Sequence, residues 1–447
     1  MLFESIGIKP ELNELWGRHK SRRQESLHHA FSRSVFLPYI AHLSFIARQI
    51  PFKAAQNAMG IRERLLSIQS HVVFGYVGGR AAVFPLECLG YDVDVVNTVN
   101  YSNHAGYGNV GGTKTSAKEL ENIFKILEEN ELLAPTRLLT GYIPDAESLS
   151  AVNRIVQKLK EERPGLIYLL DPVMGDAGKL YVAADVVPVY KQMLPLATII
   201  APNWYEVELL TDTPMTDMPS LQKALLILHK KYQVPNVVIS SIPLKPWLLA
   251  GLPSSISPPN DVDDHEDRAD WLFCLSSSIV TISGDATPSH THINGSKSIG
   301  CPSIVHAARV PLIPGYFSGV GDLFSAFLLS HFQPTVPIPL NSTSAVQTPQ
   351  PPSEPTHVQT PFSYAASLAL TKTHAILSKT HEYSLSLPEE ERLPSDDELD
   401  IKNPMRKVRR MRGRELALIQ NQDIIRGVGL STANTRWMGK WESFWEN

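Results

Sequence analysis

"GLIYLLDPVMGD", residues 165–176, is a short apolar run that ends in two carboxylates. The run reads as a strand buried on both faces, and the polar end as its exit into solvent. The same rhythm repeats on either side. Upstream, "RLLSIQSHVV" (64–73), "DVDVVNTVNY" (92–101) and "TRLLTGYI" (136–143) read as strands, while "SAKELENIFKILEENELL" (116–133) and "ESLSAVNRIVQKLKEERP" (147–164) carry apolar residues at helical spacing. Downstream, "ATIIAPNWYEVELL" (197–210) is a strand followed by a helix start, and the helix "LQKALLILHKKY" (221–232) precedes the strand "NVVIS" (236–240). Strands alternating with helices imply right-handed βαβ units: an α/β fold whose mostly parallel central sheet is covered on both faces. In such sheets ligands gather at the carboxyl ends of the strands.

The chain has 447 residues, room for two or three average domains or for one large α/β domain with insertions. Its net charge of -4, from 41 basic and 45 acidic residues, indicates no broad basic surface for nucleic acid and points to a small-molecule or protein partner. Three cysteines, Cys88, Cys274 and Cys301, lack a Cys-x-x-Cys pair, so neither a disulfide framework nor a zinc site is expected and a reducing compartment is. The most apolar N-terminal piece, "SVFLPYIAHLSFIA" (34–47), is broken by Pro38 and His42, short of the roughly 18 apolar residues that cross a bilayer. No membrane partner is expected.

Residues 1–60 hold Arg18, Arg22, Arg23, Arg33 and Arg48, a hint of a mitochondrial presequence that Glu4, Glu11, Glu14 and Glu25 oppose. They are expected to be a poorly ordered extension before a domain at 61–430, with 431–447 as a tail. Residues 251–300, around the short strand "WLFCLSSSI" (271–279), and the Pro/Ser/Thr/Gln-rich residues 334–361 read as insertions, the latter disordered.

Polar residues follow four of the strand-like runs: Ser70, Asp171 to Asp176, Asn203 to Glu206, and Ser240 with Ser241. Together they would line one rim of the sheet. Asp171 and Asp176 either hold one hydrated Mg²⁺ or form an ordinary turn. Glu206 either joins that cation through water or caps a helix with Asn203. "NYSNHAGYG" (100–108) can sandwich a flat ring or be a plain solvated turn, and Tyr142 ends another strand. "FSGVGDLFSAF" (317–327) poses the sharpest choice. Asp322 either caps a helix, or acts as a base beside an anion held by the bare N–H groups of Gly319, Val320 and Gly321. No Walker sequence, kinase-type Gly-rich loop or Gly-x-Ser-x-Gly elbow is present, which favours phosphoryl transfer with an unusual anion cradle.

Taken in order, "SIQSHVVFGYVG", "SNHAGY", "LTGYIPD", "DPVMGD", "APNWYEVELLT", "VVISS" and "GVGDLFSAFLL", with a weaker tail in "GRELALIQNQDIIR", resemble the pyridoxal kinases of the ribokinase-like superfamily. The resemblance implies a three-layer α/β/α sandwich that transfers the γ-phosphoryl of ATP to the 5′-hydroxymethyl of pyridoxal, pyridoxine or pyridoxamine. It implies Asp322 as general base, with the backbone of Gly319, Val320 and Gly321 as anion hole. Ser70, Val77, Tyr101, His104, Ala105 and Tyr142 would surround the pyridine ring. Asp171, Asp176 and Glu206 would organise Mg²⁺ and the phosphates. Asn203, Ser240 and Ser241 would serve ATP and a monovalent cation, K⁺ or Na⁺. A homodimer located in the cytoplasm, and also the nucleus, is implied too. Many members have Thr where this chain has Ala105, Ala201 and Val320, each a difference of about 0.5–1.5 kcal/mol if one hydrogen bond is lost. The rival expectations are a hydroxymethylpyrimidine kinase of the same superfamily and an inactive vitamer-binding or scaffold relative.

Overall fold

The side chains of the central strands alternate between two separate cores. In β5 (Ile167–Leu170) Tyr168 and Leu170 face one core and Leu169 the other; Leu138 and Leu139 divide likewise in β4 (Arg137–Thr140), and Ile200 and Ile199 in β8 (Ile199–Ile200). Burial on both faces is why these runs are continuously apolar. The computed structural model describes residues 63–253, 256, 271–279, 303–334 and 359–446. The expectations for residues 1–60 and for most of the two insertions lie outside the described residues.

The remaining strands are β1 (Arg64–Val72), β2 (Asp92–Tyr101), β3 (Gly112–Lys114), β6 (Gly175–Asp176), β7 (Lys179–Leu180), β9 (Asn236–Pro243), β10 (Trp271–Ser278), β11 (Ile304–Pro311) and β12 (Gly439–Lys440). The ten-stranded sheet runs β12-β11-β10-β9-β8-β5-β4-β1-β2-β3, and β6 and β7 form a separate hairpin. Every pair from β9 through to β2 is parallel, and the flanking strands are antiparallel.

The helices, in order, are α1 (Gly79–Cys88), α2 (Ala117–Glu129), α3 (Ala146–Glu162), α4 (Val186–Met193), α5 (Trp204–Thr211), α6 (Met218–Leu226), α7 (Pro246–Gly251), α8 (Val320–His331), α9 (Pro361–Leu385), α10 (Asp397–Lys402), α11 (Met405–Arg412) and α12 (Gln422–Arg426). α2 to α6 cover one face through residues such as Phe124, Val152, Tyr190, Leu210 and Leu225. α1, α8 and α9 cover the other through Leu86, Phe324, Phe327, Phe362 and Ala366. This is the expected three-layer ribokinase-like arrangement.

Two helices escape a periodicity reading. α1 carries Pro85 in its interior, and the first half of α9 is buried nearly all round, from Ala365 to Thr373, so it shows no polar stripe. The expected tail at 431–447 needs correction. Its β12 pairs with β11 at the sheet edge, and Trp441 and Phe444 pack edge-to-face in the core. An edge left open would expose unpaired N–H and C=O groups, and this segment covers those around Val305 to Ala307.

Arg137, buried at the start of β4, fastens the far end of α8. Its Nη1 donates to the carbonyls of Leu329 (2.7 Å) and Phe332 (2.9 Å), and its guanidinium lies 5.5 Å from the Tyr91 ring centre. A cation on the last carbonyls of a helix also meets its negative dipole end. Arg137→Met should therefore lower unfolding free energy by about 2 kcal/mol in urea titrations. A change within 0.5 kcal/mol, about the scatter of surface substitutions, would deny this anchoring role.

Candidate active site

The candidate residues fall into line because the strands that bear them are parallel neighbours. Along one rim lie Ser240 on β9, Asn203 beyond β8, Asp171 beyond β5, Tyr142 beyond β4, Ser70 on β1 and Tyr101 at the end of β2. Five steps of about 4.8 Å make this rim about 24 Å long. The chain winds outward from β1 to β2, then returns to the other side of β1 as β4, so the order of winding reverses between β1 and β4. Such a switch point opens a crevice. Asp322 sits there: a Cβ on Gly141, just after β4, would lie 3.7 Å from Asp322 Oδ1, and Gly78, after β1, donates its N–H to Oδ2 at 2.8 Å.

Two glycines permit this approach. Gly319 has φ +78° and a Cβ there would fall 1.9 Å from the Tyr76 carbonyl oxygen; Gly78 has φ +54° and a Cβ would fall 2.2 Å from Ser70 Oγ. The question of cap or base is thereby recast. α8 has no side-chain cap of its own, and Asp322 instead accepts from the N-cap residue of α1. Among the described residues the N–H groups of Gly319, Val320 and Gly321 have no protein acceptor, and the space beside Gly321 is open. They present a helix N-terminus free to take an anion. Burial pushes the Asp322 carboxyl up, and the Gly78 hydrogen bond opposes the shift.

Asp171 is buried, and Ser325, one turn along α8 from Asp322, donates to its Oδ2 at 2.8 Å. Burial, with the charge of Asp322 added, pushes its carboxyl up to about 7. Glu206 is pushed well above its ordinary value by burial and by Asp171. Its oxygens are taken up by backbone: Oε1 accepts from Met174 (2.9 Å), and Oε2 accepts from Asn203 (2.9 Å) in a reciprocal capping box at the start of α5. The capping alternative describes Glu206, which thereby also holds the 171–176 loop. Asn203 Nδ2 donates to the Gly175 carbonyl (2.8 Å) for the same end.

Asp176 is exposed on the β6–β7 hairpin, where it accepts from the N–H of Ala177. The expected trio of Asp171, Asp176 and Glu206 does not converge. Among the described residues no three His, Cys, Asp or Glu side chains form a group able to hold a metal. Ser240 and Ser241 lie within β9, not beyond it, at a bulge opposite Cys274, and Ser240 N–H reaches the Pro202 carbonyl past the end of β8.

Burial raises both the Tyr101 and the Tyr142 hydroxyl, and Tyr101 is near enough to add to the shift of Tyr142. Val77 is half-buried, its Cα 3.3 Å from where a Cβ on Gly319 would stand, and Ala105 is exposed. His104 is buried at the foot of the 102–109 loop. Sequence reasoning missed its partner, Glu415, whose Oε1 lies 2.9 Å from His104 Nε2 and 2.7 Å from the Tyr107 hydroxyl. Gly78 and Ser325 were missed too. Ser325 was within reach of sequence reasoning, since i and i+3 share a helix face.

A doubly wound sheet with a carboxylate and an open anion cradle at its switch point can receive a phosphate-bearing ligand, and comparison with known proteins gives the class, a kinase of ribokinase-like fold. The family model described as phosphomethylpyrimidine kinase matches residues 94–295. A Schizosaccharomyces pombe relative is 33% identical over 345 residues, 77% of this chain and 94% of its own. The pyridoxal kinase of Arabidopsis thaliana is 37% identical over 60% of this chain and 73% of its own. Among solved structures, pyridoxal kinase from Leishmania donovani in complex with ADP and pyridoxamine superposes with a TM-score of 0.60 at 25% identity, covering 85% of this chain and 99% of that one. The chain belongs to the pyridoxal kinase family.

Proposed function

We propose that the protein phosphorylates the 5′-hydroxymethyl group of pyridoxal, pyridoxine and pyridoxamine with ATP. The observation that carries this is the placement of Asp322: a carboxylate at the switch point, in the first turn of a helix whose first N–H groups have no acceptor among the described residues. Asp322 takes the hydroxyl proton as the alcohol oxygen bonds to the γ-phosphorus. The bond from that phosphorus to the β,γ-bridging oxygen breaks, and ADP leaves. The N–H groups of Gly319, Val320 and Gly321 hold the phosphoryl oxygens, so positioning and charge stabilisation supply most of the rate. Ser70, Val77, Tyr101, His104 and Tyr142 form the ring end of the cleft. Asn203 and Glu206 act indirectly, by shaping the 171–176 loop beside the phosphates.

A Mg²⁺ ion fits this donor set. Asp171 is buried within reach of the charge of Asp322, and Glu206 within reach of that of Asp171, with no Lys or Arg partner for the three among the described residues. Mg²⁺ is commonly held by one or two carboxylates plus substrate phosphates rather than by a protein cage. Asp171 would hold it beside the substrate phosphates, and the ion would neutralise phosphate charge.

The family model's description, phosphomethylpyrimidine kinase, keeps a pyrimidine kinase, here hydroxymethylpyrimidine kinase, as a second reading. Purified protein offered both kinds of alcohol with ATP and Mg²⁺ separates them. Faster ADP release with a B6 vitamer is the expected result; faster phosphorylation of the pyrimidine, or no turnover of any vitamer, would overturn the proposal.

A further inference from the structure

We propose that Glu415 is a positioning residue for the alcohol substrate, tying the ring-binding loop to the turn that holds the base. The inference rests on the kinase reading above. Glu415 follows α11, more than three hundred residues after the loop it grips, and its two oxygens collect three donors. His104 Nε2 (2.9 Å) and the Tyr107 hydroxyl (2.7 Å) meet Oε1, and the Tyr76 N–H (2.8 Å) meets Oε2. The first two belong to the 102–109 loop. The third belongs to the 74–78 turn, whose Gly78 N–H holds Asp322.

The approach of this carboxylate is built in. Gly75 has φ +100°, and a Cβ there would fall 2.7 Å from Glu415 Oε1, so a side chain at this position would evict it. Glu415 also fixes the histidine tautomer. Gly106 N–H donates to His104 Nδ1 (3.2 Å), which leaves Nε2 to carry the hydrogen given to Glu415. His104 Nδ1 further lies 3.4 Å from Ser318 Oγ, directly before the Gly319–Gly321 cradle. The 102–109 loop and the turn that holds the base therefore share one carboxylate as their common acceptor, and His104 links it in turn to the approach to the cradle.

Glu415→Gln is the telling variant, because its amide has one acceptor oxygen where three donors converge from two sides. Whichever way it turns, its NH₂ faces a donor. In the full-length protein this variant is expected to raise KM for pyridoxal about tenfold while KM for ATP and the melting temperature stay close to wild type. Tyr107→Phe, which removes a single donor, should raise the same KM two- to threefold. An unchanged KM for pyridoxal in both variants overturns the proposal. So does a parallel rise in both KM values with a lowered melting temperature, which marks a purely structural tie. Hydrogen exchange, read in parallel, is independent of the kinase reading. Residues 74–78 and 102–109 should exchange faster in Glu415→Gln while the central strands do not, and unchanged exchange there counts against the tie even if the wild type proves inactive on every vitamer.

Discussion

Asp322→Asn should lower kcat by about two to four orders of magnitude, the size of a lost general base, with little change in affinity for pyridoxal. The substitution separates the two roles that a carboxylate at a helix start can play. Asparagine still offers an oxygen to the Gly78 N–H, so the contact between α8 and the start of α1 survives. What it loses is the capacity to take a proton. A helix cap would show the opposite pattern: activity kept, and about 1 kcal/mol of stability lost on removal of the side chain. Because Asp322 makes no cap bond to its own helix and its burial disfavours its charge, the melting temperature should not fall. Single-turnover rates and a thermal melt on the same preparation decide the matter, and near-normal kcat in the variant removes Asp322 from the reaction.

The sheet was legible because each central strand is apolar on both faces and each exit is polar. "GLIYLLDPVMGD" shows both features, and the structure turns its first half into β5 and its second into the loop that carries Asp171. The rim was legible for a related reason: parallel strands all end on the same edge, so sequence order alone brings Ser70, Asp171 and Asn203 to one side. What sequence order could not provide was the depth of each group. Asp171 and Asp176 are five residues apart, yet one is buried beneath α8 and the other is exposed on a hairpin. Glu206 carries the ambiguity of every Glu three residues after an Asn, which looks the same whether it caps or binds. Glu415 was invisible for a third reason. Its partners are 308 and 311 residues away, and no local pattern announces a contact that only the finished fold creates.

Asp171 offers the test in which stability and function should move in opposite directions. Its carboxyl is raised from an ordinary 3.8 to about 7, first by burial and then by the charge of Asp322. Below about pH 4 both the folded and the unfolded chain hold the proton, and the group costs nothing. Between pH 4 and 7 the unfolded chain releases the proton while the folded chain keeps it, so stability falls as pH rises. Above pH 7 the folded protein carries a buried carboxylate, and the whole cost is present. Asparagine at this position is neutral throughout and still accepts from Ser325 Oγ. Asp171→Asn should therefore be more stable than wild type by about 2–4 kcal/mol at pH 8, without Mg²⁺ or nucleotide, and equal to it at pH 4. Urea titrations at the two pH values measure this, and a difference that stays constant with pH would show that the carboxylate is not held against its own charge. The same variant should lose about ten- to a hundredfold in kcat/KM for ATP, because a neutral side chain cannot share a divalent cation with the phosphates. On the proposed reading, the buried charge that weakens the resting protein would be met by the cation and phosphates, stability being given up for function.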